Sequence, residues 1–89
     1  MQLGIPLTQK SDKQEIKSLI EYFFGRKKVG DQFYGLDLLK FVNNHGHHPY
    51  IDTVLRYMRE LKSAMKINYS TKYKPDSLYR IEAVNVQKT

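Results

Sequence analysis

The sequence predicts an α+β domain of three helices followed by a C-terminal β-hairpin, and three observations predict it. Apolar residues recur at three- and four-residue steps in three separate stretches before residue 66. The period then changes from 3.6 to 2, the mark of strands. Strong breakers, Gly25, Gly35 and the group Asn44, Gly46 and Pro49, separate the periodic stretches. At 89 residues the chain supports one domain with a small core. We assign residues 11–84 to that domain, 1–10 to an N-terminal arm or tail, and 85–89 to a C-terminal tail.

The arm alternates Leu3, Ile5 and Leu7 around Gly4 and Pro6, and Pro6 argues against a central strand. Ser11 and Asp12 are both good N-caps, and Ser11 with Gln14 or Asp12 with Glu15 gives the spacing of a capping box. Ile16, Leu19, Ile20, Phe23 and Phe24 continue a first helix over about 12–24, and Gly25 suits the left-handed residue that would end it. Lys28 to Tyr34 reads as a turn and a very short strand. Leu36, Leu38, Leu39, Phe41 and Val42 support a short second helix that ends near Asn43 and Asn44.

The stretch Pro49 to Lys66 is read as a third helix with two faces. Ile51, Val54, Leu55, Met58, Leu61 and Met65 form an apolar stripe for the core. Opposite lie Asp52, Thr53, Arg56, Glu60 and Ser63, with Arg59 and Lys62 on one shoulder and Tyr57 on the other. Ile67 and Tyr69 then share one face of a first hairpin strand, and Tyr79, Ile81 and Ala83 one face of a second. Thr71 to Ser77 supplies turn chemistry with Lys72, Tyr73 and Lys74 at the tip.

Charge placement narrows the choice of partner. Fifteen basic and nine acidic residues give a formal net charge of +6. Residues 1–24 balance to zero, so the excess sits in the remainder, notably in Arg26, Lys27 and Lys28 and between Thr53 and Lys74. Such asymmetry favours polyanions. The basic trio has two readings, compensation of the first helix's dipole or contact with phosphate. His45, His47 and His48 invite a metal site, but zinc usually takes four ligands at helical or paired spacing and the chain has no cysteine. No metal and no cofactor is expected; His47 and His48 are read as loop imidazoles within reach of a phosphate. A serine with a placed histidine and aspartate, a glycine-rich phosphate loop and paired carboxylates are all missing at meaningful spacing, so the expectation is not an enzyme. No apolar run reaches about 18 residues, and the first ten lack the basic start and apolar centre of a signal peptide, which predicts a cytoplasmic protein without membrane contact.

Element order, IDTVLRYMRELK in the recognition-helix position and the hairpin INYSTKYKPDSLYRI together resemble the winged-helix, or winged helix-turn-helix, DNA-binding domains over residues 11–84. DTVLRYMRELK is also similar to small winged-helix proteins of bacterial and phage genomes. The resemblance implies sequence-specific binding of double-stranded DNA by a small transcriptional regulator, with the third helix in the major groove and the wing on the backbone. Tyr50, Thr53, Arg56, Tyr57 and Arg59 would be the recognition-helix contacts. Lys72, Tyr73 and Lys74 would be the wing contacts, and Arg26, Lys27, Lys28, His47 and His48 further phosphate contacts. Arg56 also has an ion-pair reading with Glu60 at i+4, and Asp52 is expected to cap the helix. One recognition helix covers few base pairs, which makes a homodimer an expected arrangement. Two other classes stay open: a protein-docking winged helix within a larger assembly, and single-stranded nucleic-acid binding through some of the seven tyrosines.

Overall fold

A computed structural model describes residues 12–83 of the chain. Three helices and a three-stranded antiparallel sheet alternate as α1 (Asp12–Gly25), β1 (Gln32–Tyr34), α2 (Gly35–Asn44), α3 (Ile51–Ser63), β2 (Asn68–Tyr73) and β3 (Leu78–Ala83). The predicted α+β class and helix count hold. Ser11, the 1–10 arm and the 85–89 tail lie outside the described residues.

The helices form because each has a stripe to bury. Ile16, Ile20, Phe23 and Phe24 of α1, Leu38 and Val42 of α2, and Val54, Met58 and Leu61 of α3 converge with Phe33, Ile67, Tyr69 and Ile81 in one core. Phe24 links the layers: it is fully buried, 5.3 Å from the Phe33 ring and 6.0 Å from the Tyr69 ring. Edge-on and tilted pairs of this kind are favoured by the ring quadrupoles.

Two chain reversals differ from expectation. Gly25 remains helical; the positive φ falls on Gly30, at 97°, within a turn where the Lys28 N–H donates to Asp31 Oδ2 at 2.8 Å. That turn delivers the chain into β1. Met65, assigned to the apolar stripe, is 91% exposed with φ of 63°. The helix has ended at Ser63, and Lys66 N–H donating to Leu61 O with Met65 N–H donating to Lys62 O makes a Schellman closure in which Met65 takes the left-handed position.

The sheet order is β1-β3-β2, so the early short strand pairs with the last one rather than standing apart from the hairpin. Phe33 lies opposite Tyr79, and Tyr69 opposite Ile81. Lys72 and Tyr73 belong to β2; the tip is a single 3-10 turn, Lys74–Asp76, closed by Ser77 with φ of 52°. Gly35 N–H donates to Ser77 O at 2.8 Å and ties that tip to the start of α2. A Cβ on Gly35 would stand 3.2 Å from both Leu55 Cδ2 and Ser77 Cβ, so a side chain there would require the hairpin or α3 to give by a few tenths of an ångström.

Candidate functional site

The exposed side of α3 is the surface on which the sequence expectations concentrate. Asp52, Arg56, Arg59 and Ser63 are exposed along it, and Thr53 is half-buried at its edge. Tyr50 is the N-cap and is 85% exposed. Asp52 does not cap the helix: the first N–H groups turn to backbone instead, Thr53 and Val54 both donating to Tyr50 O.

Tyr57 overturns its assignment to this face. Its side chain is 9% exposed and belongs to the core, because its position on the helix turns it toward α1 rather than outward. Its ring instead carries cations: Lys13 Nζ, Lys17 Nζ and Arg56 Cζ lie 5.5, 5.8 and 5.4 Å from the centroid. Beside it Glu60 accepts Lys17 at 2.6 Å and Lys13 at 3.3 Å through Oε1, and Arg56 Nε stands 4.0 Å from Oε2. The Lys17 hydrogen bond, with help from Lys13 and against some desolvation, holds the Glu60 carboxyl below its ordinary range. Lys13 and Lys17 were absent from the sequence-derived site. They belong to the electrically balanced first 24 residues, and only the packing of α1 against α3 places their charge here.

The opposite flank of α3 meets the sheet. Lys62 Nζ donates to Tyr69 O at 2.7 Å and lies 4.8 Å from the Tyr69 ring centroid. Burial pushes the Tyr69 hydroxyl up, with Tyr79 adding to the rise and Arg59 opposing it. The hairpin thus runs beside α3, with Tyr69 near the helix's end. Its tip lies near the helix's beginning, where Ile51, Pro75 and Ser77 line one cleft with Tyr34, Leu36 and Asp37.

The hairpin residues do not act together. Ser70 and Arg80 pair on the face opposite Tyr69, Tyr79 and Ile81, and Lys72 is the extra residue where the register shifts between Thr71 and Tyr73. There Ser70 Oγ and Arg80 Nη1 both donate to the Glu82 carboxylate. Those two bonds, and then the nearby Arg80 and Lys72 charges, hold Glu82 below its ordinary range against some desolvation. Lys72 stands exposed in β2, at the register shift, rather than at the tip expected for it. Tyr73 and Lys74 are exposed at the end of the hairpin.

The remaining predicted contacts are scattered. Arg26, Lys27 and Lys28 follow the C-terminal end of α1, about 20 Å along the helix from Lys13 at 1.5 Å per residue. Arg26 stacks on Tyr22 and Lys27 on Phe23, 5.7 and 4.9 Å from the centroids. His48 is exposed. His47 turns to α1 instead of outward, its Nε2 2.9 Å from Glu15 and its Nδ1 3.9 Å from Asp12. Two carboxylates beside that ring repel a phosphate, so His47 leaves the set of phosphate contacts. Asp12, Glu15 and His47 bring ligand atoms within 4.8 Å of one another, the one such group among the described residues; the first helix supplies the acids that loop spacing did not reveal. No described helix is long and apolar enough to cross a membrane. No protein-family model, curated protein or solved structure matches the chain.

Proposed function

We propose that this chain is a winged helix-turn-helix domain that binds double-stranded DNA, acting as a small transcriptional regulator, with the outer side of α3 in the major groove. The observation that carries the reading is the band of cations across α3. Arg56 and Arg59 are exposed on the helix, Lys13 and Lys17 stand on its α1 flank, and Glu60, an acid within that band, is already held by lysines. An exposed arginine on such a helix, as Arg59 is, can make a bidentate contact with guanine. Lys13, Lys17 and, at the hairpin tip, Lys74 are suited to phosphates, which fix register without reading sequence. Element order and the β1-β3-β2 sheet support the winged-helix layout.

Five such cations give a salt slope of about −4 to −5, and affinity falls several hundredfold between about 50 and 200 mM salt. The decisive measurement is an NMR titration with a random-sequence duplex. Shifts concentrated at Thr53, Arg56, Arg59 and Lys13 are expected; shifts confined to Arg26–Lys28, or none at all, would reject the reading.

A protein-docking role has one observation of its own. Tyr34 and Leu36 are 47% and 59% exposed at the mouth of the cleft beside Ile51 and Pro75. Tyrosine and leucine at a concave site suit a protein partner. The same titration bears on it: a duplex that shifts none of Thr53, Arg56, Arg59 and Lys13 would leave the cleft as the stronger reading.

A further inference from the structure

Lys13 and Lys17 stand one turn apart on α1, and Arg56 stands one turn before Glu60 on α3. Three cations from two helices therefore converge on one carboxylate, at 3.3, 2.6 and 4.0 Å, above a single buried tyrosine ring. One negative charge cannot neutralise three positive ones. The cations also stay within reach of solvent: the side chains of Lys13 and Arg56 are 52% and 56% exposed. On the Lys17 side of Glu60 an open cleft of about 370 Å³, lined also by Ser18, Glu21 and Lys66, gives the Glu60 carboxylate room to swing away from Lys13 and Arg56, which do not line it. A carboxylate and a phosphate ester offer the same feature to a cation, a pair of anionic oxygens that accept charge-assisted hydrogen bonds.

We propose that Lys13, Lys17 and Arg56 form a phosphate-binding trio which Glu60 occupies in the free protein, and that a backbone phosphate of duplex DNA takes the place of Glu60 in the complex. The proposal rests on the DNA reading above and adds to it the ligand group and its built-in competitor. Tyr57 is the positioning residue: its ring holds the three cations on one side of α3 without touching the ligand. Because Glu60 opposes a phosphate contact and not a base contact, it lowers affinity for every duplex alike. Its removal adds a full positive charge at the phosphate position, which strengthens the counterion-release term.

Three proteins test this: wild type, Glu60→Gln, and Glu60→Gln combined with Lys13→Gln and Lys17→Gln. Each is titrated with a random-sequence duplex and separately with inorganic tripolyphosphate, between about 50 and 200 mM salt. Glu60→Gln is expected to bind the duplex about three- to tenfold tighter at the low-salt end, with a slope more negative by about 0.9. It should also bind tripolyphosphate more tightly than wild type does. Both gains should vanish in the triple variant. Equal duplex affinities and slopes for wild type and Glu60→Gln would overturn the trio and leave the DNA reading standing, as would a drop in melting temperature with no gain in binding. A tripolyphosphate gain with no duplex binding by any of the three would overturn the DNA reading and with it the ligand named here, while keeping the trio as an anion site.

Discussion

The two flanks of α3 hold charge in different ways. On the α1 side, Lys13, Lys17 and Arg56 are gathered over Tyr57 and Glu60, so that residues distant in sequence make one compact positive group. On the hairpin side the basic residues are dense in sequence but dispersed in space: Lys62 bonds a strand carbonyl, Lys72 sits at the register shift of β2 and Lys74 stands at the tip. Local density of charge along a chain is therefore a poor guide to its density on a surface. Helix-to-helix packing gathers cations on one flank, while helix, strand and turn each hold one apart on the other.

The change that would break both flanks together is Phe24→Ala. It removes the ring that joins α1 to β1 and β2, and should cost about 3–5 kcal/mol, read as a lower midpoint in denaturant at unchanged slope. A contrast between the flanks comes next. Arg56→Ala should weaken binding to cognate and random duplexes alike and make the salt slope shallower by about 0.9, whereas Lys72→Ala should have the smaller effect because Lys72 stands apart from that group, in β2. Equal losses from the two changes in parallel binding titrations would erase the distinction drawn here. Smaller again is Met65→Gly, which relieves a side chain in the left-handed region and should raise stability by about 1 kcal/mol without altering either flank. Finally, acidification should weaken both flanks. Glu60 and Glu82 have depressed pKa values, so their contribution is present above the ordinary carboxylate value of 4.5 and is lost as pH falls through the lower folded value. Melting temperature followed downward from pH 7 should fall in the acid range, and less steeply in Glu60→Gln.

Much of this architecture was legible from periodicity. Ile16 to Phe24 and Ile51 to Leu61 announce their helices because three- and four-residue spacing reflects a buried stripe directly. Met65 misled for the same reason: it lies four residues beyond Leu61 and continues the pattern, but the helix closes before reaching it. Tyr57 sits at the margin of the stripe, where an aromatic side chain with a polar tip suits either side, and the decision belongs to the helix packed against it. The pairing of β1 with β3 is non-local, and no residue in Gln32–Tyr34 encodes it alone. The site was legible to the extent that it depends on α3 itself, in Arg56 and Arg59. Its α1 half was hidden by bookkeeping over a segment whose acids and bases cancel in number while Lys13 and Lys17 are drawn to a different helix. His47 was obscured likewise, since its partners Asp12 and Glu15 lie more than thirty residues earlier.

Gly35 has a consequence for any surface that meets the hairpin. With no side chain at that point, the Lys74–Ser77 turn is clasped against two helices and hydrogen-bonded in place before a ligand arrives. A loop already immobilised gives up little conformational freedom on contact. The turn would engage a curved polyanion as a fixed jaw set at a constant opening from α3, and the spacing it tolerates would be a property of the folded scaffold rather than of the encounter.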